Sequence, residues 1–166
     1  MAISKKIADY LDKNKYKYEI IEHRTTYTAW DTAQTEKVKP QEVAKALVMK
    51  TDNDYLIAMV PSNKNLDKKG LLKIINAQKK KAGDKLYKKI DFAKEAWMKK
   101  NLPGKVGATP PFAGLINLGV YIDNALKKNK KIYLGSGEYT FSVRVNMRQY
   151  LKIEKPAIGS FSMGKK

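Results

Sequence analysis

Lys45 is the residue whose position most clearly suggests chemistry. It lies in the segment EVAKALVMK, whose apolar and β-branched residues predict a β-strand. Because side chains alternate along a strand, Lys45 shares a face with the apolar Leu47 and Met49. An ammonium among apolar side chains is costly unless it meets an anion or a carbonyl, so a lysine here suits ligand binding. The pattern leaves one alternative open, a lysine near the strand end that reaches water.

Two short glycine-containing segments offer a second kind of chemistry. GATPP, residues 107–111, combines a permissive glycine with prolines that stiffen the path, and it carries no charge. The backbone amides of such a loop can donate to a carbonyl or phosphate oxygen. GSGE, residues 135–138, is a second candidate, and a plain hairpin turn is the alternative for it. Neither segment matches a nucleotide-binding signature, which argues against nucleotide hydrolysis.

The usual covalent catalysts are scarce. The chain has one histidine and no cysteine, so disulfides, thiolate metal sites and a cysteine nucleophile are excluded. His23, in IIEHRTT, follows a predicted strand with no second histidine and no carboxylate cluster nearby. We therefore expect His23 to be structural or to line a pocket, and we expect neither a metal nor a cofactor.

Charge points to a polyanionic partner. The formal net charge of +18 attracts nucleic acid or an anionic membrane surface, and charge alone does not separate the two. The basic runs are short and scattered, however, and no stretch approaches the roughly 20 apolar residues of a membrane span. The N-terminus places Ile3, Ile7 and Leu11 on one helical face, unlike a signal peptide. We expect a cytoplasmic protein with no membrane partner.

The elements that must position these residues alternate between strands and helices. Six apolar or β-branched segments predict strands: YKYEIIEH, EVAKALVMK, DYLIAMV, LINLGVYID, KKIYLGSG and YTFSVRV. TDND predicts a hairpin turn between the second and third, and DYLIAMV, apolar throughout, predicts a central strand. Helices are predicted at the N-terminus, at residues 30–36 and at residues 147–151. Two more are predicted to begin at the caps Asp67 and Asp91, with QKKKAGDK between them as a solvated turn. The helix after Asp67 is expected to bury Leu71, Leu72, Ile74 and Ile75.

This order predicts an α+β fold, a mixed sheet surrounded by helices. The length suits a single domain, which we place at residues 1–155, followed by a basic, loosely ordered tail at residues 156–166.

Several motifs, taken in order, resemble the YbaK/ProX family of aminoacyl-tRNA editing domains, which is related to the editing insertion of bacterial prolyl-tRNA synthetases. VAKALVMKTDNDYLIAMVPSNKNLD is similar to the family's strand with its functional lysine, the next strand ending in Val-Pro, and a helix start at Leu-Asp. GATPPFAG resembles its Gly-x-x-x-Pro loop, followed here by Phe112. VYID, ending in Asp123, and IYLGSGEYTFSVRV resemble its last strands and glycine turn.

The resemblance implies a trans-editing deacylase that hydrolyses the ester of mischarged tRNA, with water attack assisted by the ribose hydroxyl beside the ester. It implies catalytic roles for Lys45, Gly107 and Pro111. It implies contacts to the substrate from a wider set, namely Thr25, Tyr27, Leu47, Thr109, Pro110, Phe112, Gly135, Ser136 and Gly137. The implied partner is the acceptor end of aminoacylated tRNA, and an aminoacyl-tRNA synthetase is a further candidate.

Two departures from the family pattern leave the amino acid open. Phe112-Ala113-Gly114 replaces the common Pro-Phe-Gly, and Ser142 stands where relatives resembling cysteinyl-tRNA deacylases carry an acidic residue. Alanyl- or cysteinyl-tRNA for proline is the expected substrate. A pocket separates one methylene by only about 1–3 kcal/mol, so the sequence does not separate alanine, cysteine, serine and threonine. The alternative function is a tRNA- or ribosome-binding protein that keeps the fold and does not hydrolyse.

Overall fold

A computed structural model describes residues 3–164, which form an α+β fold, as predicted. The helices are α1 (Lys5–Lys13), α2 (Ala29–Glu36), α3 (Lys68–Ala82), α4 (Glu95–Asn101), α5 (Ala113–Ile116), α6 (Asn124–Lys127) and α7 (Met147–Glu154). The strands are β1 (Tyr18–Glu22), β2 (Ala44–Thr51), β3 (Asp54–Pro61), β4 (Lys64–Leu66), β5 (Ile90–Phe92), β6 (Gly119–Asp123), β7 (Lys131–Gly135), β8 (Phe141–Asn146), β9 (Ala157–Gly159) and β10 (Ser162–Gly164). No helix within the described residues is long and apolar enough to cross a membrane.

The larger sheet has five strands in the order β5-β2-β3-β6-β9. β2 and β3 form the predicted antiparallel hairpin, and Asp52 in its turn has a φ of 53°. β3 pairs with β6 in parallel and is therefore internal, as predicted. Both faces of β3 are covered: Ile57 and Met59 pack in one hydrophobic cluster, and Leu56 and Ala58 pack in the other. This double burial explains why β3 is apolar on both faces.

A second, antiparallel sheet has the order β1-β8-β7. It meets the larger sheet where β2 begins, through a bridge between Val43 and Tyr133 of β7. The start of β2 and the end of β7 therefore lie side by side, and the candidate site forms at this junction.

Helices α1 and α3 each begin at a side-chain cap and bury one face. Ser4 caps α1 by accepting a hydrogen bond from the Ile7 amide, and Ile7 and Leu11 are buried on one face, as predicted. Asp67 caps α3 as predicted, and Leu71 and Ile75 are buried. The prediction that Leu72 and Ile74 are equally buried was wrong, because both are only half-buried, beside the face that Leu71 and Ile75 turn to the core.

Three local predictions were wrong. α3 continues through Lys79–Lys81, which had been read as a turn, and ends at Gly83 with a φ of 75°. Asp91 caps no helix, because it lies in β5, which pairs with the edge of β2; its carboxylate accepts the Phe92 amide and pairs with Lys68. The segment read as strand LINLGVYID begins instead with α5, and the strand starts at Gly119.

The tail is ordered through residue 164, contrary to expectation. β9 pairs in parallel with β6 and β10 pairs with β4, while Phe161 between them is almost fully buried. Asp123 holds this segment, since its carboxylate accepts the Phe161 amide at 2.7 Å and the Ser162 hydroxyl at 2.8 Å. Long-range pairing with an open sheet edge therefore orders a segment whose composition alone suggested a flexible end; residues 165–166 lie outside the described residues.

Candidate functional site

A cavity of about 190 Å³ lies at the junction of the two sheets. Four chain segments form its wall: the turn into α2, the start of β2, the glycine loop before α5, and the β7–β8 connection. The lining residues are Thr26, Tyr27, Thr28, Ala29, Thr32, Val43, Ala44, Lys45, Ala46, Leu47, Gly107, Ala108, Thr109, Tyr133, Leu134, Gly135, Glu138, Phe141 and Ser142. The wall thus combines small apolar side chains with several hydroxyls.

Lys45 lies on the cavity wall, half-buried, near the start of β2. Its Nζ donates a hydrogen bond of 2.6 Å to the carbonyl of Lys64. Leu47 and Met49 on the same face pack against the cluster under α3, as strand alternation predicts. The backbone carbonyl holds the ammonium at the wall, and an ammonium carries three donors with which to bind an anionic or carbonyl oxygen.

The two glycine segments are packed against each other. The Gly137 amide donates to the Ala108 carbonyl at 2.7 Å, and the Lys105 amide donates to the Gly137 carbonyl at 2.9 Å. A Cβ on Gly135 would lie 2.6 Å from the Thr109 carbonyl oxygen, so a larger residue there would displace the loop. Glycine at this position therefore permits the close approach that brings the loop to the end of β7.

Gly107 needs glycine for two reasons. Its φ is 90°, a backbone conformation that L side chains rarely adopt, and a Cβ there would lie 3.1 Å from the Tyr27 carbonyl oxygen. The loop thus rests directly on the backbone of the turn into α2. Because Gly107 and Tyr27 are far apart in sequence, this contact assembles two walls of the cavity.

Six of the predicted site residues line the cavity, namely Lys45, Gly107, Tyr27, Leu47, Thr109 and Gly135. Six do not, namely Pro111, Thr25, Pro110, Phe112, Ser136 and Gly137. Five of this second group lie in or next to the two glycine segments, outside the cavity lining. Thr25 is exposed, next to the turn into α2.

Phe112 and Pro111 illustrate this position outside the cavity lining. Phe112 has no exposed surface, and its ring centroid lies 5.8, 5.5 and 6.0 Å from those of Tyr10, Tyr16 and Tyr150. The buried Tyr150 hydroxyl donates to the Pro111 carbonyl at 2.5 Å. The predicted substrate contact of Phe112 does not fit this burial, because aromatic packing holds the residue away from the cavity.

Ser136 is also turned inward. It is fully buried, and its hydroxyl donates to the Phe141 carbonyl at 2.6 Å while accepting the Glu138 amide at 3.2 Å. These bonds close the turn between β7 and β8, so Ser136 shapes the rim without facing it.

Sequence reasoning missed the hydroxyls on the opposite wall. The Thr26 and Thr32 hydroxyls lie 2.8 Å apart, and the Thr26 amide donates to the Tyr139 carbonyl at 2.8 Å. The signal that could have indicated Thr26 is the run TTYT just before α2, in which the family resemblance had implied only Thr25 and Tyr27 as substrate contacts.

His23 is held by two hydrogen bonds outside the cavity lining. Its Nε2 lies 3.0 Å from the Ser142 hydroxyl, and its Nδ1 lies 2.7 Å from the Arg24 carbonyl. The Ser142 hydroxyl, on the cavity wall, is therefore oriented by the histidine. Both ring nitrogens have partners, which suits the structural role expected for His23.

Two ion pairs lie next to residues of the cavity wall. Glu138 forms a 2.8 Å ion pair with Lys105, and the hydrogen bond to this carboxylate raises the pKa of the Lys105 ammonium. On the far side of Tyr133, Arg144 donates to its hydroxyl at 3.1 Å and pairs with Glu19, and these bonds raise the pKa of the guanidinium. Among the described residues that line the cavity there is no histidine or cysteine. The hydroxyls on the wall come from threonines, Tyr27, Tyr133 and Ser142, and the Ser142 hydroxyl is the one bonded to His23.

An α+β domain with a small, mostly neutral pocket between a glycine loop and one lysine defines a class of protein that binds a small group at a sheet junction. The sequence model of the aminoacyl-tRNA editing domain matches residues 23–153. The chain belongs to the aminoacyl-tRNA editing domain family.

Solved structures share this fold over nearly the whole chain. The hypothetical protein APE2540 superposes with a TM-score of 0.79 at 18% identity, covering 96% of this chain and 100% of that one. A structure described as that of a candidate trans-editing enzyme for prolyl tRNA synthetase has a TM-score of 0.75 at 17% identity, covering 98% and 100%. Identities this low show the fold alone. No curated protein matches the chain significantly.

Proposed function

We propose that this protein is a trans-editing deacylase, which hydrolyses the ester between a wrong amino acid and the 3′ end of tRNA. Family membership supports a role in aminoacyl-tRNA editing. The description of one structural neighbour as a candidate trans-editing enzyme for prolyl tRNA synthetase supports tRNA for proline as the tRNA partner, and we propose alanine or cysteine as the amino acid it carries. Such a substrate would place the protein in the cytoplasm, beside a prolyl-tRNA synthetase.

The observation that carries the proposal is the size and chemistry of the cavity. At about 190 Å³ it is smaller than the roughly 300–1,000 Å³ typical of pockets for drug-sized ligands, so it suits a small aminoacyl group. Ala44, Ala46 and Leu47 give it an apolar wall, and Lys45 gives it one cation. Lys45 would bind the terminal phosphate or the aminoacyl carbonyl.

The reaction needs no side-chain nucleophile. A water oxygen adds to the ester carbonyl carbon, the ribose hydroxyl beside the ester helps to position that water, and the tetrahedral intermediate collapses. The carbon–oxygen bond to the ribose breaks, the water's proton goes to the leaving ribose oxygen, and free amino acid and tRNA result. The protein's contribution would be to orient the ester and to stabilise the developing oxyanion with Lys45 and loop amides.

The net charge of +18 favours one second candidate, a non-catalytic tRNA- or ribosome-binding protein. Both functions predict salt-dependent tRNA binding, because neutralised phosphates release counterions. Only the deacylase predicts release of the amino acid, so turnover separates the two.

The test is release of amino acid from alanyl-, cysteinyl-, seryl- and threonyl-tRNA for proline by wild type, Lys45→Ala and Lys50→Ala. Lys50 is a matched control, since it lies on the same strand but is exposed on the opposite face. We expect Lys45→Ala to lose about 100-fold or more in kcat/KM, as for removal of one oxyanion donor, and Lys50→Ala to match wild type. Wild-type turnover that survives in Lys45→Ala would refute the role of Lys45, and tRNA binding without any turnover would favour the binding protein.

A further inference from the structure

Tyr27 is an exposed aromatic residue at the opening of the cavity. Its side chain is 64% exposed, and among the described residues it is the exposed large hydrophobic side chain that also lines the cavity. A ring this open to water contributes little to the core, so packing does not explain its position. Its place at the opening suggests contact with a bound molecule.

The Tyr27 ring packs against one neighbouring aromatic ring. It meets Tyr139 edge to face, with centroids 4.8 Å apart and an interplanar angle of 65°. Tyr139 is fixed in turn, because its hydroxyl donates to the Val106 carbonyl at 2.5 Å. The contact with Tyr139 therefore limits the movement of the Tyr27 ring.

The backbone around Tyr27 is equally constrained. Thr28 caps α2 by accepting the Asp31 amide at 3.1 Å, and the Thr26 amide is bonded to the Tyr139 carbonyl. The Tyr27 carbonyl itself lies against Gly107. Because the backbone before and after Tyr27 is hydrogen-bonded in place, the residue loses little conformational entropy when a ligand binds to its ring.

A cation stands next to Tyr139, the ring that Tyr27 contacts. The Lys105 ammonium lies 5.4 Å from the centroid of Tyr139 and is held there by Glu138. Proteins bind single-stranded nucleic acid on exposed aromatic rings with lysines nearby, since a base stacks on the ring and a phosphate lies near the charge. Phe92 also has a lysine over its ring, Lys68 at 5.2 Å, so the feature that distinguishes Tyr27 is its position on the cavity wall.

The size of the cavity decides which part of the substrate meets Tyr27. A space of about 190 Å³ accepts a small aminoacyl group but not a nucleobase in addition, so the base must lie outside, at the opening. Tyr27, which the family resemblance implies as a substrate contact, would therefore meet the base of the substrate and not its aminoacyl group.

We propose that Tyr27 stacks on the terminal nucleobase of the tRNA acceptor end, with Lys105 beside the phosphate that precedes it. The assignment rests on the proposed function, because it takes an aminoacylated 3′ end as the ligand. It makes Tyr27 a binding residue for the base, separate from the groups that act on the ester.

The experiment compares wild type, Tyr27→Ala, Tyr27→Phe and Phe92→Ala. Phe92 is a matched control, since it is an exposed aromatic residue on β5 that does not line the cavity. Two RNA oligonucleotides serve as binding probes: a single strand ending in CCA, and the same strand with an abasic terminal nucleotide. Steady-state hydrolysis of mischarged tRNA is measured alongside.

We expect Tyr27→Ala to weaken binding of the CCA probe, and to raise KM for charged tRNA, by about 5- to 100-fold, the range found for one stacked base, with kcat within about threefold of wild type. Tyr27→Phe keeps the ring and should behave as wild type, as should Phe92→Ala. The abasic probe should bind wild type and Tyr27→Ala with equal, weak affinity.

Equal CCA binding by wild type and Tyr27→Ala would overturn the assignment, as would a loss confined to kcat. The two proposals fail separately. If no charged tRNA is hydrolysed but CCA binding depends on the Tyr27 ring, the deacylase function fails and the stacking platform stands. If charged tRNA is hydrolysed by Tyr27→Ala with the wild-type KM, the platform fails and the function stands.

Discussion

The Tyr150 hydroxyl anchors the glycine loop from behind, and its removal gives a sharp test of how the loop is held. Tyr150 has no exposed surface, and burial raises the pKa of its hydroxyl well above the ordinary value, so it remains a donor. It donates to the Pro111 carbonyl at 2.5 Å, the one hydrogen bond that this carbonyl accepts among the described residues. Tyr150→Phe leaves the ring packing intact and deprives a buried carbonyl of its donor.

The magnitude follows from the cost of an unsatisfied buried group, about 1–3 kcal/mol of the free energy of unfolding. For a chain of this size each kcal/mol corresponds to about 2–4 °C in Tm, so we expect a fall of about 2–12 °C. Because Pro111 ends the loop that carries Gly107 and Thr109, we also expect deacylation to slow by about tenfold.

The assay is thermal unfolding followed by circular dichroism, with Tyr18→Phe as the matched control. The Tyr18 hydroxyl donates to Asp12 at 2.9 Å on the surface, and its loss should cost less than about 0.5 kcal/mol. At about 2–4 °C per kcal/mol the control should fall by less than about 2 °C, so a fall of less than about 2 °C for Tyr150→Phe would refute the reasoning.

Three further predictions concern the loop, alkaline stability and salt. In Gly107→Val the new side chain would lie against the Tyr27 carbonyl, and the residue would have to adopt a φ of 90°, a strain of about 1–3 kcal/mol. Amino-acid release should therefore fall at least about tenfold, and full turnover would show that the loop is not the site. Burial and the bond to the Glu154 carboxylate raise the pKa of Tyr16 far above that of an unfolded tyrosine, so its contribution to stability is complete below about pH 10 and is lost as pH rises further. Between pH 9 and pH 11 the free energy of unfolding measured in urea should therefore fall by about 1.4 kcal/mol less in total in Tyr16→Phe than in wild type, and parallel pH profiles would contradict this. The logarithm of tRNA affinity should fall linearly with the logarithm of salt concentration, by nearly one unit per neutralised phosphate, and a salt-independent affinity in filter binding would argue against a phosphate contact.

Local chemistry made much of the fold predictable. Alternation in the β2–β3 hairpin, the helical period of α1 and the Asp67 cap all depend on residues within a few positions of one another, so the sequence contains the full signal. Asp91 shows where this reasoning stops. Its position before an apolar run resembles a helix cap, but pairing of β5 with the edge of β2 competes for the same backbone and prevails.

The ends of strands and the tail depended on partners far away in the chain. β9 and β10 are short and weakly patterned, and they are ordered because β6 and β4 present open edges to them. Asp123 adds two hydrogen bonds that no local pattern announces. A segment of three residues cannot form a stable strand alone, so its structure is decided by the sheet that receives it.

The site divides in the same way. Alternation along β2 was enough to place Lys45 on one face, and the glycines of the two loops marked positions where backbone must approach closely. The sequence could not say that Phe112 is buried in an aromatic cluster, or that Thr26 and Ser142 meet Lys45 around one cavity. The cavity residues come from separate segments, with Thr26 and Ser142 more than a hundred positions apart, and only the packing of two sheets at the Val43–Tyr133 bridge brings them together.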